Sequence, residues 1–137
     1  MNKSISFRFV QESDAQHLSE LAIRSKGYWG YSAEFMAACV DELSVSVQSI
    51  NDDGFHYVIA LANGEIAGFY TLEAFIGDEI ELGALFVDPL YIGTGIGKAL
   101  INKAKKHAAN LGATKLNIQG DPNAEQFYLA SGALLTG

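Results

Sequence analysis

The sequence predicts an α/β fold: a mixed, mostly antiparallel sheet with one parallel strand pair and flanking helices. Three observations carry this. The hydrophobic patterns follow the order β-α-α-β-β-β-α-β-α-β. The three central strands are joined by the short turns Asn63-Gly64 and Gly77-Asp78, and such turns make antiparallel neighbours. The last of those strands is followed by a helix and then another strand, a crossover that forces a parallel pairing. A chain of 137 residues fits a single domain, 1–137.

The elements read in order as follows. Residues 4–10 alternate as a strand. Ser13 opens a helix, with Gln16 as its capping-box partner and Ala15, Leu18, Leu21 and Ala22 as its apolar face. Gly27 to Tyr31 is a loop. Ser32 caps a second helix carrying Phe35, Met36, Cys39, Val40 and Leu43, and residues 44–54 are ambiguous. Strands follow at Phe55 to Ala62, Glu65 to Phe75 and Glu79 to Val87. The helix from Gly97 to Leu111 buries Leu100, Ile101, Ala104, Ala108 and Leu111, turns its lysines elsewhere, and ends at Gly112. Residues 114–119 form a strand, Ala124 to Ala130 a short helix and Ala133 to Leu135 a strand stub.

Composition excludes several classes. Hydrophobic residues make up 49% and charged residues 18%, as in a globular core and unlike a disordered tail. No apolar run approaches the ~20 residues of a membrane helix, and the N-terminus has no signal-peptide pattern, so no membrane partner is expected. The lone Cys39 cannot form an internal disulfide, which fits a cytoplasmic location. A net charge of −7 argues against general nucleic-acid binding. That charge is unevenly spread: residues 1–90 are net −10 and residues 91–137 net +3. An acidic first part favours a cationic acceptor such as an amine, and is equally the mark of an ordinary acidic protein. His17, His56 and His107 lack metal-ligand spacing, and no metal is expected.

The segment Leu85-Phe86-Val87-Asp88-Pro89-Leu90-Tyr91-Ile92-Gly93-Thr94-Gly95-Ile96-Gly97-Lys98 is a strand, a glycine turn and a helix start. The first amides of a helix have no intrahelical acceptor, and the helix dipole adds roughly half a positive charge there. Such a turn suits a phosphate. The spacing does not match a nucleoside-triphosphate loop, since Ile92 and Ala99 stand where Gly and Ser/Thr are needed. Nor does it match the dinucleotide fingerprint, whose third glycine falls on Lys98 or Leu100.

This segment resembles the acetyl-CoA-binding motif of the GNAT N-acetyltransferase superfamily, a strand followed by Gln/Arg-x-x-Gly-x-Gly/Ala and a helix. Gly95 and Gly97 match the small positions, and Ile92 departs from Gln or Arg. Downstream, Asp121-Pro122-Asn123-Ala124-Glu125-Gln126-Phe127-Tyr128 with Ser131-Gly132-Ala133 is similar to the family's Asn-x-x-x-Phe-Tyr-x-x-x-Gly block. The resemblance implies that the strands around Val87 and Leu116 splay apart to admit pantetheine. Pantetheine would then pair with the backbone of Leu85, Phe86 and Val87, a mode indifferent to side chains. It places the pyrophosphate on Gly93, Thr94, Gly95, Ile96, Gly97 and Lys98, and the cofactor arm near Asn123, which is equally an ordinary helix cap.

The resemblance also implies the chemistry: direct attack of a primary amine, from a small molecule or a peptide, on acetyl-CoA. Tyr128 matches the tyrosine that protonates the leaving thiolate, or is a core aromatic beside Phe127. Glu81 matches the family's glutamate base on the fourth strand, with Glu73 on the neighbouring strand as the alternative; Glu79-Ile80-Glu81 also fits a solvent-facing alternation. Tyr28, Trp29 and Tyr31 lie in the loop that lines the acceptor cleft in the family, or plug the core beneath it. The family usually continues past Ser131-Gly132 with two more strands, whereas this sequence stops at Gly137. That implies a shortened domain, or a homodimer whose partner covers the edge. A CoA-binding module without turnover is therefore the alternative to an enzyme.

Overall fold

The computed structural model describes residues 5–28 and 32–118, without the side chains of residues 39–43 and 118. Strand β1 (Ile5–Phe9) leads through a single 3₁₀ turn into helix α1 (Ala15–Gly27), then α2 (Ala33–Leu43) and the short α3 (Val47–Ile50). Strands β2 (His56–Ala62), β3 (Glu65–Ile76) and β4 (Glu79–Val87) follow, then α4 (Ile96–Asn110) and β5 (Lys115–Ile118). The five strands form one sheet in the order β1-β2-β3-β4-β5. Each of the first four is antiparallel to its neighbour, and β4 and β5 are parallel. The predicted fold class is the one observed.

The sheet has an apolar layer on each face. On one, Val58, Ala60, Tyr70, Leu72, Ile80 and Leu82 pack against Ile96, Leu100, Ile101, Ala104 and Ala108 of α4. On the other, Tyr57, Ile59 and Phe69 pack against Leu18, Leu21 and Ala22 of α1. These are the apolar faces read from the sequence, because alternation on strands and the 3.6-residue period on helices leave one side of each element to bury. Among the described residues, no helix is long and apolar enough to cross a membrane.

Two helix starts differ from the sequence reading. Helix α1 begins at Ala15, not Ser13, and its cap is not the Ser13–Gln16 pair. Asp14 sits there instead: its carboxylate accepts the Gln11 amide at 2.8 Å and a two-point bond from Arg8 at 2.8 and 3.0 Å. Gln16 reaches along the helix to Glu20. Helix α4 begins at Ile96, one residue early, because Gly95 takes the cap position in the left-handed region. The ambiguous stretch holds α3, capped by Ser46, whose hydroxyl accepts the Ser49 amide. Ser32 caps α2 as read, accepting the Phe35 amide at 3.1 Å.

Candidate active site

Among the described residues, the parallel pairing of β4 with β5 runs from Glu79↔Lys115 to Leu82↔Ile118. Beyond it β4 continues to Val87, paired on its other side with β3 at Tyr70↔Leu85, Phe69↔Phe86 and Gly68↔Val87. Among the described residues Gly83 to Val87 have no strand partner on the β5 side. Alternate backbone N–H and C=O groups of this stretch therefore point away from β3, as on any sheet edge. Leu85 and Val87 pack into the α4-side core, and the Phe86 ring lies 5.7 Å from that of Phe69 on the α1 side.

The chain then turns sharply. Asp88 donates its amide to the Ala67 carbonyl at 2.8 Å, and its carboxylate accepts Arg24 of α1 at 2.8 Å and the Leu90 amide at 3.1 Å. Burial opposes the charge on Asp88. The Arg24 hydrogen bond, the Leu90 amide and the nearby Arg24 and His17 charges outweigh it and hold the carboxyl below its usual range. One residue thus ties β3, α1 and the turn together. Thr94 closes the next turn, its amide and its hydroxyl both donating to the Tyr91 carbonyl.

Gly93 and Gly95 have φ of +83° and +90°. L-residues with side chains rarely adopt that region, so glycine is needed here for conformation. A Cβ at either position would meet nothing within 4 Å, so the backbone itself forms the surface. The first α4 bond is from the Ala99 amide to the Gly95 carbonyl at 3.0 Å, which leaves the amides of Ile96, Gly97 and Lys98 free of intrahelical acceptors. The Ile96 side chain is buried in the core, so only its backbone is available; the Lys98 side chain is exposed. A strand running into such a cradle, unpaired on one side among the described residues, suits a long ligand with an amide-bearing arm and a diphosphate.

Glu73 and Glu81 are direct cross-strand partners on β3 and β4. Burial, and then the Glu81 charge, push the Glu73 carboxyl above its usual range. Two irregularities flank this rung. On β4, Thr71 pairs with Ala84 and Leu72 with Leu82, so Gly83 is an extra residue, a bulge. On β3, the pairing jumps from Glu73 to Ile76, and Ala74 has φ +53°. The sequence reading did not find Gly83, although a lone glycine within a strand pattern is the signal for a bulge. Tyr28 follows α1, exposed, its amide bonded to the Arg24 carbonyl at 3.1 Å. Trp29, Tyr31, Asn123, Tyr128 and the Ala133 to Leu135 stub lie outside the described residues. His56 and His107, given no role, meet edge-to-face at 5.6 Å on the α4 side, where His107 Nδ1 and the buried Tyr70 hydroxyl are 2.6 Å apart. Among the described residues no group of His, Cys, Asp and Glu could hold a metal ion.

Comparison with known proteins fits this geometry. The sequence profile of the Acetyltransferase (GNAT) family matches residues 17–133. A search of curated proteins gives no match. Among solved structures, the PaiA N-acetyltransferase from Thermoplasma acidophilum in complex with coenzyme A is similar, with a TM-score of 0.80. It is 24% identical over 93% of this chain and 87% of that one. A GCN5-related N-acetyltransferase from Rhodopseudomonas palustris is 27% identical over 95% and 82% of the two chains, with a TM-score of 0.72. The aminoglycoside acetyltransferase AAC(6')-Iy, bound to a bisubstrate analogue, shares the fold at 19% identity, with a TM-score of 0.67 over 98% and 93%. The glycine turn and the parallel crossover therefore have the context that gives them meaning: this chain belongs to the GNAT family and is an acetyltransferase.

Proposed function

We propose that the protein is a single GNAT domain, 1–137, that moves the acetyl group of acetyl-CoA onto a primary amine of a small molecule or peptide by direct attack. The observation that carries this reading is β4 running directly into the left-handed glycine turn and the α4 amides that have no intrahelical acceptor. Leu85, Phe86 and Val87 would pair with the pantetheine arm through their backbone. Gly93, Thr94, Gly95, Ile96, Gly97 and Lys98 would receive the pyrophosphate, and Asn123 would bond the arm. The similar PaiA structure holds coenzyme A, which supports the same co-substrate here. Two aminoglycoside acetyltransferases among the similar structures support a small-molecule amine as acceptor.

In this reading, acetyl-CoA supplies an activated acyl group and a thiolate leaving group. The protein's residues bind, orient and move protons. Glu81, with Glu73 beside it, takes the proton of the acceptor ammonium, Tyr128 returns one to the departing sulfur, and a β4 backbone amide near Phe86 or Val87 polarises the carbonyl. Tyr28, Trp29 and Tyr31 would contact the acceptor. A cytoplasmic homodimer without nucleic-acid or membrane partners completes the proposal. The test is CoA release with a thiol reagent across a panel of amines, beside calorimetry with CoA. Amine-dependent release supports an enzyme. Tight CoA binding without release from any amine would identify a CoA-binding module, and absence of CoA binding would sink both.

A further inference from the structure

We propose that Glu73 and Glu81 act as one proton-holding pair that strips the acceptor ammonium, with the glycine at Gly83 giving the Glu73 carboxyl its seat. The inference rests on the acetyl-transfer reading and deepens it, since a single glutamate would suffice for a simple base. Glu73 and Glu81 are opposite residues of one rung, where side chains on the same sheet face stand about 4.5–5.5 Å apart at Cβ. Like charges placed directly opposite destabilise a sheet, so the arrangement is unexplained as sheet design.

The backbone around the pair departs from a regular ladder on both strands. Gly83 bulges from β4 two residues beyond Glu81, and Ala74, next to Glu73, is left-handed without being glycine. Bulges re-aim side chains, and strain of this kind gathers at functional sites. The consequence here is measurable. A Cβ built on Gly83 would lie on top of the Glu73 carboxylate, overlapping Oε1 and within 2.9 Å of Cγ. The Glu73 head group thus occupies the space that any other residue at position 83 would fill. It lies against β4 at Gly83, next to the Leu85 to Val87 stretch.

Glu79, two residues before Glu81 on β4, is engaged by Lys115 of β5 at 3.4 Å. Across the sheet, β2 offers Tyr57 and Ile59 on this face, whereas His56 lies on the α4 side. Among the described residues, the charge that adds to burial in shifting Glu73 is that of Glu81. Burial and the Glu81 charge together therefore make Glu73 a stronger base than an ordinary carboxylate. The proton balance is simple. The acceptor arrives as an ammonium and gives one proton to the pair; its freed lone pair attacks the thioester carbon. The C–N bond forms and the C–S bond breaks. The second amine proton leaves the nitrogen, the thiolate is protonated, and the pair returns its proton to solvent.

The pair is tested in the free enzyme by carbon NMR titration of the glutamate carboxyls, and in turnover by the pH profile of kcat/KM. In the wild type, Glu73 should titrate above an ordinary carboxylate, and in Glu81→Gln it should fall while burial still holds it above the ordinary range. In Glu73→Gln the acid limb of kcat/KM should move down by about one pH unit, as expected for groups coupled at that level. Gly83→Ala removes no ionisable group but displaces Glu73, and should move the limb the same way. Titrations of Glu73 that are identical in the wild type and Glu81→Gln would overturn the pair. So would an unmoved acid limb in folded Glu73→Gln and Gly83→Ala. If no amine is acetylated at all, the acetyl-transfer reading fails by itself, and the titration still decides whether the carboxyls are coupled.

Discussion

Asp88 accepts a hydrogen bond from Arg24, which lies 64 residues earlier, and no local pattern reveals that pairing. Arg24 is 44% exposed at its side chain, so solvent screens much of the interaction, while the Asp88 side chain is only 8% exposed. Arg24→Ala should cost about 1 kcal/mol at pH 7 by leaving a buried carboxylate short of a donor. Asp88 has a folded-state pKa below its unfolded value, so its contribution is complete above about pH 4 and disappears as pH falls through the folded value. Urea unfolding of wild type and Asp88→Asn should therefore differ at pH 7 and converge towards pH 2. Tyr128, by contrast, is named by resemblance alone. If it supplies the thiolate's proton, Tyr128→Phe keeps CoA affinity by calorimetry and lowers turnover by about 10²–10⁴-fold. Full turnover of that variant would remove Tyr128 from the mechanism. The Glu73–Glu81 juxtaposition was only half legible. Both residues stand out as carboxylates on adjacent strands, but their rung depends on bulges that alternation does not reveal.

Elements were read best where one period runs long. Helix α4 has the predicted apolar face, and strands β2 to β4 stand where they were read, with ends shifted by about one residue. Short, polar elements were hidden: α3 spans four residues, and its serines signal a cap only once the helix is known. The start of α1 was misplaced because Ser13 is a good cap by type, yet Asp14 gains Arg8 as a second partner from β1. The glycine turn was legible because only glycine takes φ near +90° without strain, so the residue type reports the backbone. Gly95→Ala and Gly95→Asp should both lose about 1–3 kcal/mol of stability from that strain. Only the aspartate adds negative charge beside the α4 amides, so it should bind CoA about tenfold more weakly than the alanine variant. Equal CoA affinity of the two folded variants would move the phosphate site elsewhere.

At the scale of the molecule, topology followed from connection lengths alone, because short turns and one helical crossover leave few sheets possible. The quaternary prediction belongs to this scale. Residues Ala133, Leu134 and Leu135 are three consecutive apolar residues, so a strand there turns at least one outward. At the other sheet edge, Phe9 is 71% exposed. Sedimentation at micromolar concentration should give a dimer, and deleting residues 134–137 should weaken it without abolishing CoA binding. A single monomeric species of the full chain refutes the dimer.

The pairing of β4 on both sides at Glu79 to Leu82 also has a bearing on the order in which the protein becomes rigid. Amides of Glu79 to Leu82 lie between two strands and should exchange with solvent deuterium slowly. Those of Gly83 to Val87 that face away from β3 lack that protection from the described chain. A ligand that supplies the missing partner would act as a removable strand. Its binding would then register as slowed deuterium uptake confined to Gly83 to Val87 and the first turn of α4. It would also raise the unfolding free energy by about 2.7 kcal/mol at a hundredfold excess over Kd. Uptake that CoA leaves unchanged at these amides would mean that the ligand docks without completing the sheet.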